Sequence, residues 1–95
     1  MTTNNDFISI NYSDARLRVL VEEYIAMQRK EFTFKGVSSY IMYWAMEENT
    51  SNYESDQMSP GDCERVRRVL EQIVREGRIT VTSDGGDTRF EKNME

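Results

Sequence analysis

The sequence predicts a mainly α-helical domain with a small β component (an α+β fold class), in which three helices precede a C-terminal β-hairpin. Two observations carry this prediction. Apolar residues recur at helical spacing in three separate segments of the chain. After the third segment, two stretches of alternating residues flank Gly85-Gly86, and glycines readily adopt the positive φ angles of a hairpin turn. We therefore expect one domain over residues 1–95.

The length and composition are typical of a small globular protein from a reducing compartment. With 95 residues, of which 38% are hydrophobic and 31% charged, the chain can build one modest core. Cys63 is the single cysteine, so no internal disulfide can form. The sequence contains neither an apolar run long enough for a membrane span nor a signal-peptide pattern, so we predict a cytoplasmic protein without membrane contact.

The residue types present argue against an enzyme. The chain has no histidine, which removes the commonest general base and most zinc sites. Its acidic residues are scattered along helix faces, and a domain of this size has little room for a substrate cleft. We predict a protein that works by binding, with no catalytic residues, no metal site and no cofactor.

The first helix is predicted over residues 13–30. Ser13 is a typical N-cap residue, and Asp14 after it favours the positive end of the helix dipole. Residues 1–12 alternate only weakly and are interpreted as an arm or a short strand. The stripe predicted to be buried contains Leu17, Leu20, Val21, Tyr24, Ile25 and Gln28.

The second helix is predicted over residues 33–48, after a break at Glu31 to Thr33 that is compatible with a very short strand. Outside its main apolar stripe, Met42, Tyr43 and Met46 make a second side of the helix apolar. Two interpretations stay open: the first helix covers these side chains, or they form a dimer or partner surface, where Met and Tyr are common. The main stripe contains Phe34, Val37, Ile41, Trp44 and Ala45.

The third helix has the clearest boundaries. Residues 49–58 are polar and predicted to form a loop, and the helix follows over residues 59–76, with Ser59 as N-cap and Pro60 in its first turn. Gly77 ends the helix, and the hairpin is predicted over residues 78–92. The predicted buried face, which includes the cysteine as a core residue, contains Cys63, Val66, Val69, Leu70, Ile73 and Val74.

The order of these elements, together with residues 59–92, resembles the winged-helix branch of the helix-turn-helix superfamily. The specific part is the run ERVRRVLEQIVREGRI at residues 64–79, where apolar pairs and charged residues precede a glycine and an apolar strand. The resemblance implies a three-helix winged-helix-like domain with the hairpin as its wing. It also implies that the third helix enters the major groove of double-stranded DNA.

A basic stripe on the third helix fits the function that this resemblance implies, a small DNA-binding transcriptional regulator that reads two half-sites as a homodimer. Arginine can contact a phosphate or a guanine, and glutamine can pair with adenine. The same stripe also fits a solvated face with Glu64–Arg68 and Glu71–Arg75 ion pairs. The predicted DNA-binding residues are Arg65, Arg67, Arg68, Gln72 and Arg75 on the third helix, with Arg78 and Arg89 on the wing.

The charge of the chain favours a second hypothesis. A net charge of −5 is unusual for a protein that binds DNA. The alternative is an acidic winged-helix-like protein-interaction module that does not bind DNA, either an adaptor or an inhibitor encoded by a phage or mobile element. Its markers are the acidic N-terminal half of the chain, the apolar side of the second helix, and two acidic residues at the wing tip, Asp84 and Asp87.

Overall fold

The computed structural model describes residues 10–49 and 58–93, except for the side chains of residues 48 and 49. The predicted fold class is confirmed: these residues form three helices and a small antiparallel sheet. Residues 1–9 of the predicted arm and residues 50–57 of the predicted loop lie outside the described part. In chain order the elements are α1 (Asp14–Met27), β1 (Glu31–Thr33), α2 (Phe34–Asn49), α3 (Pro60–Arg75), β2 (Ile79–Ser83) and β3 (Arg89–Lys92).

α1 begins as predicted and ends before its predicted limit. The Ser13 side chain accepts a hydrogen bond from the backbone N–H of Arg16, which confirms the predicted N-cap. The helix ends at Met27, and Gln28 after it has an extended backbone. The Gln28 carbonyl accepts a hydrogen bond of 2.8 Å from Lys92 Nζ, so β3 satisfies a group at the end of the helix.

β1 joins the two hairpin strands in a three-stranded sheet, in which the strand order is β1-β3-β2. Phe90 of β3 pairs with Phe32 on one side and with Val81 on the other. The Phe32 and Phe90 rings stack at a centroid distance of 5.2 Å, and both side chains are buried. The central strand therefore joins the hairpin to the segment between α1 and α2.

The first turn of α2 receives hydrogen-bond acceptors from two parts of the chain. Thr33 Oγ1 accepts from the backbone N–H of Gly36 at 3.0 Å and so caps the helix. The hairpin loop supplies the other two acceptors. Asp87 Oδ1 accepts from Lys35 N at 2.9 Å, and the Thr88 carbonyl accepts from Phe34 N at 2.8 Å. These two bonds attach the hairpin to α2.

α3 carries both of its predicted boundary signals. The Ser59 side chain accepts from Asp62 N, Pro60 occupies the first turn, and Gly77 has a φ of +82° just past the helix end. Four residues of α3 are buried, as predicted, whereas Cys63 and Val74 are half-buried. The buried residues of α3 are Val66, Val69, Leu70 and Ile73.

The core lies where the three helices meet the sheet. The predicted stripe of α1 is largely confirmed, although Tyr24 and Gln28 are only half-buried. In the described part of the chain, no helix is long and apolar enough to cross a membrane. The largest fully buried side chains are Leu17, Leu20, Val21, Val37, Ile41, Val66, Leu70, Ile73 and Ile79.

Gly36 is required by a close approach between α1 and α2. A Cβ atom at this position would overlap the Tyr24 hydroxyl and lie 3.1 Å from Tyr24 Cζ. The Tyr24 ring cannot easily move away, because it contacts the rings of Phe32 and Tyr40 at centroid distances of 6.1 and 5.5 Å. Gly61 in α3 has no such neighbour within 4 Å.

We expect Gly36→Ala to lower the free energy of unfolding by about 1–3 kcal/mol, because the added methyl group overpacks this contact. Gly61→Ala is the matched control and should be neutral or stabilising by up to about 1 kcal/mol, as alanine favours a helix over glycine. Adding Tyr24→Phe to Gly36→Ala should recover part of the loss. Urea denaturation of the four proteins measures this, and equal effects at the two glycines would contradict it.

Candidate nucleic-acid interface

The predicted DNA-binding residues on α3 differ in their exposure. Arg67, Arg68, Gln72 and Arg75 are exposed, and they lie on the side of the helix that faces away from the core. Arg65 is half-buried, with 28% of its side chain accessible. Arg68, Gln72 and Arg75 therefore share one solvent-exposed surface, which we call the α3 face, whereas Arg67 lies to one side of it, over the Phe34 ring.

Arg65 is held by oxygen atoms of the chain itself. Its guanidinium donates to the Tyr12 carbonyl, to Asp14 Oδ1 at 3.1 Å and to Asp62 Oδ1 at 3.4 Å. Asp62 Oδ2 also accepts from the backbone N–H of Ile10, whose side chain is buried. Arg65 therefore links the segment before α1 to the first turn of α3, and it borders the α3 face, where it lines a small pocket of about 100 Å³ with Arg68 and Gln72.

Arg78 also forms ion pairs within the domain. Its Nη1 atom lies 3.1 Å from Glu22 Oε2 and 3.7 Å from Glu76 Oε1. Arg18 contacts the same two carboxylates at 2.5 and 2.6 Å. These hydrogen bonds from Arg18 lower the pKa of both Glu22 and Glu76 and raise the pKa of Arg18. The network joins α1 to the end of α3, and Arg78 belongs to it.

This network predicts a loss of stability in acid. The folded-state pKa of Glu22 and of Glu76 is below the unfolded value, so each carboxylate stabilises the fold above about pH 4.3. That contribution disappears as the pH falls through the lower, folded-state pKa. We expect the melting temperature of the parent to exceed that of Arg18→Met near pH 7, with the difference shrinking below about pH 4.3. A difference that stays constant with pH would contradict this.

Arg67 and Arg75 line a groove between α3 and the hairpin. The groove has a volume of about 440 Å³. Arg67 also lies over the Phe34 ring, with its Cζ atom 4.6 Å from the ring centroid, a cation–π contact that holds the side chain in place. Glu71 and Asp84 contribute opposite charges to the groove. Its other lining residues are Leu70, Val74, Val81, Thr88 and Phe90.

Arg89 lies on the other face of the sheet. Its neighbour Phe90 is buried and lines the groove, and adjacent residues of a strand point to opposite faces. Arg89 is exposed, and in the register of the sheet it lies opposite Thr33 of β1. The structure therefore does not bring Arg89 together with the arginines of α3.

Arg68, Arg75 and Arg89 have no ion-pair or hydrogen-bond partner among residues 10–49 and 58–93. The Glu64–Arg68 and Glu71–Arg75 pairs expected of an ordinary solvated face are not formed between these described residues. A guanidinium without an acidic partner keeps its charge and its donors for a ligand.

The acidic residues are distributed along the chain differently from the basic residues. All 12 basic residues lie within residues 10–49 and 58–93, together with 13 of the 17 acidic residues. The described part is therefore close to neutral. Most of the net charge of −5 comes from the four acidic residues outside it, Asp6, Glu54, Asp56 and Glu95.

The two acidic residues of the wing tip have partners inside the domain. Asp87 accepts a hydrogen bond from the first turn of α2, and Asp84 Oδ1 accepts from Thr88 Oγ1 at 3.2 Å. Sequence reasoning assigned these residues to a repulsive or partner-binding tip. It missed the contact with α2 because Lys35 and Asp87 lie far apart in the sequence.

The predicted dimer or partner surface on α2 is divided by the structure. Met42 is 8% exposed and belongs to the core, but it lies beside Met58 and Cys63 at the start of α3, so the interpretation that the first helix covers this side is not confirmed. Tyr43 and Met46 are 56% and 38% exposed, so they are not covered within the described part. Tyr43 packs its ring against Trp44 at a centroid distance of 5.5 Å.

Within the described residues, no group of three or more acidic or cysteine side chains is placed to hold a metal ion. Cys63 is half-buried, and burial raises the pKa of its thiol. A raised pKa leaves little thiolate at neutral pH, so the thiol is a poor nucleophile.

Comparisons with protein-family models, with curated proteins and with solved structures find no match to this chain. Membership of the winged-helix superfamily therefore remains a prediction.

Proposed function

We propose that this domain binds double-stranded DNA through the α3 face and acts as a small, non-enzymatic regulator of transcription. The observation that carries the proposal is that Arg68 and Arg75 are exposed and have no acidic partner among the described residues, although glutamates lie one turn away. On a face that only needs to be soluble, such arginines and glutamates commonly pair.

The spacing on α3 fits base recognition. Arg68, Gln72 and Arg75 follow each other at intervals of four and three residues, so they share one side of the helix. The segment from Arg68 to Arg75 is about 10 Å long at 1.5 Å per residue. An α-helix fits the major groove, which is about 12 Å wide, and there arginine can contact guanine and glutamine can contact adenine. Gln72 Oε1 accepts a hydrogen bond of 3.5 Å from Arg18 Nη1, so a contact with adenine replaces that bond.

The remaining predicted residues have different roles in this proposal. Arg67, held over Phe34 beside the groove, is suited to a phosphate contact that orients the helix. Arg89 on the outer sheet face is suited to a more distant phosphate. Arg65 and Arg78 act indirectly, because their ion pairs fix the two ends of α3 to α1.

The described part carries 12 basic and 13 acidic residues, so its own charge opposes DNA binding only weakly. Five acidic residues are already engaged in ion pairs, and a sixth, Asp87, binds the N-terminus of α2. The proposal includes a cytoplasmic location, which the unpaired Cys63 fits. The five ion-paired acidic residues are Asp14, Glu22, Asp62, Glu76 and Glu91.

A fluorescence-anisotropy titration with random duplex DNA at low and at physiological salt tests this function. We expect binding that weakens steeply as salt rises, because neutralised phosphates release counterions. No binding at low salt would contradict the proposal and favour the alternative, a protein-interaction module. The apolar residues of the α3–hairpin groove, including Val81 at 40% exposure, are the feature that favours this alternative.

A further inference from the structure

The exposed side of α2 forms a stripe with a distinctive order of residues. Its two ends carry opposite charges, with Lys35 near the start of the helix and Glu47 near its end. Neither side chain has an ion-pair partner among the described residues. Between these two charged residues lie the small Ser39 and the large Tyr43 and Met46. The members of this α2 stripe are Lys35, Ser39, Tyr43, Met46 and Glu47.

We propose that two copies of the chain associate through the α2 stripe, with their α2 helices antiparallel around a two-fold axis at the level of Ile41. In such a pair, residues at equal distances from the axis face each other across the interface. Lys35 and Glu47 each lie six residues from Ile41. Lys35 therefore faces the partner's Glu47, and the two-fold axis generates this ion pair twice.

The same register pairs small residues with large ones. Ser39 and Tyr43 each lie two residues from Ile41, so Ser39 faces the partner's Tyr43. The two-fold axis generates this pair twice, whereas Gly36 is turned toward Tyr24 of α1 and takes no part in the interface. Small residues opposite large ones let two helices approach closely without a gap.

A cavity beside Ser39 is placed to receive the partner's Tyr43. It has a volume of about 280 Å³ and lies between α2 and the start of α3. Ser38 lines it, is 7% exposed, and has a hydroxyl group without a hydrogen-bond partner in the described part of the chain. A tyrosine hydroxyl is a suitable partner for that group. The lining residues are Phe34, Lys35, Ser38, Ser39, Met42, Met58 and Cys63.

The symmetry of the stripe favours a second copy of the chain over an unrelated protein. A two-fold interface must be complementary to itself, and the Lys35–Glu47 and Ser39–Tyr43 pairs share one centre at Ile41, so a single antiparallel register satisfies both pairs. A different protein would require no such relation between the two ends of one helix. None of the stripe residues belongs to the α3 face, so this association does not depend on the proposed DNA binding.

Sedimentation equilibrium over a range of protein concentrations tests the proposal. A contact made largely by one helix from each copy is small, so we expect a dimer Kd on the order of 10–100 µM. Lys35→Glu and Glu47→Lys should each raise this Kd by roughly tenfold, because each change creates two like-charge contacts across the two-fold axis. The combined Lys35→Glu/Glu47→Lys variant should return to the parent value.

Controls separate the loss of the interface from loss of the fold. Each substituted charge is one that the helix dipole prefers at its end of α2, and thermal unfolding checks that every variant is folded. Tyr43→Ser should weaken the dimer without touching the core, because the side chain is exposed. Met27→Ser is the matched control, since Met27 is 59% exposed but lies on α1, outside the stripe.

Three outcomes would overturn the proposal. A parent protein that is monomeric at all concentrations shows that the stripe does not bind a second copy. A dimer that Tyr43→Ser and the single charge changes leave intact uses another surface. A combined charge variant that stays as weak as the single variants rules out the antiparallel register. The result on dimerisation does not depend on the result of the DNA titration, although both are measured on the same parent protein.

Discussion

Arg68→Glu is expected to weaken DNA binding by at least about tenfold, and at low protein concentration to abolish it. A well-placed arginine contact in the major groove contributes about 1–3 kcal/mol, and a glutamate adds repulsion from the phosphates. The fold should be unaffected, because Arg68 is exposed and makes no ion pair with any described residue. We therefore expect the free energy of unfolding to change by no more than about 0.5 kcal/mol.

The matched control for this variant is Arg29→Glu. Arg29 is also exposed and without an ion-pair partner in the described part, but it follows α1 and lies outside α3. Both variants change the net charge equally, so a general electrostatic effect would weaken both. Anisotropy titrations of the two at one salt concentration separate the cases. Parent-like binding by Arg68→Glu would show that the α3 face is not the interface.

Arg65→Gln should give a different result from Arg68→Glu. Loss of the Arg65 guanidinium removes the ion pairs with Asp14 and Asp62 and the hydrogen bond to the Tyr12 carbonyl. We expect lower stability together with DNA affinity close to that of the parent, measured where the variant is fully folded. The two arginines lie three residues apart on the same helix, so this comparison tests whether contacts or sequence position determine their role.

Leu70→Ala is expected to have the largest effect on stability. The Leu70 side chain is 1% exposed, in the middle of α3 and at the centre of the core. Removing a buried leucine side chain to Cβ lowers the free energy of unfolding by about 2–5 kcal/mol, through lost burial and the cavity left behind. Domains of this size are stable by only about 5–15 kcal/mol. We therefore expect the melting temperature to fall by more than about 10 °C.

Val81→Ala provides the control for the Leu70 experiment. Val81 lines the same groove but is 40% exposed, so its truncation removes little buried surface and should cost well under about 1 kcal/mol. Differential scanning calorimetry of the two variants compares them directly. If the two melting temperatures were equal, the packing of α3 against the core would be different from that described here.

The sequence predicted those features of the fold that depend on local signals. Ser13 and Ser59 cap helices, and Gly77 ends one, because each acts on backbone groups only a few residues away. The end of α1 could not be predicted in this way. Gln28 leaves the helix to meet Lys92, which is 64 residues further along the chain.

The candidate site could be predicted only as a set of residues. Arg65 and Arg68 have the same side chain on the same helix, and only the tertiary contacts of Arg65 distinguish them. Met42 and Tyr43 are adjacent, yet one is buried and the other exposed, because the direction from which α3 approaches α2 is not encoded locally. The unpaired state of Arg75 depends in the same way on side-chain geometry that the sequence does not specify.

The attachment of the hairpin loop to α2 has a consequence for protein engineering. An exposed turn with two glycines is usually a good place for an inserted tag or label. Here the two sides of the turn are not equivalent, because Asp87 and Thr88 hold the first turn of α2. Extra residues between Gly85 and Gly86 leave these acceptors in register with β3. Extra residues after Asp87 displace it from the start of α2, so the turn is permissive on one side only.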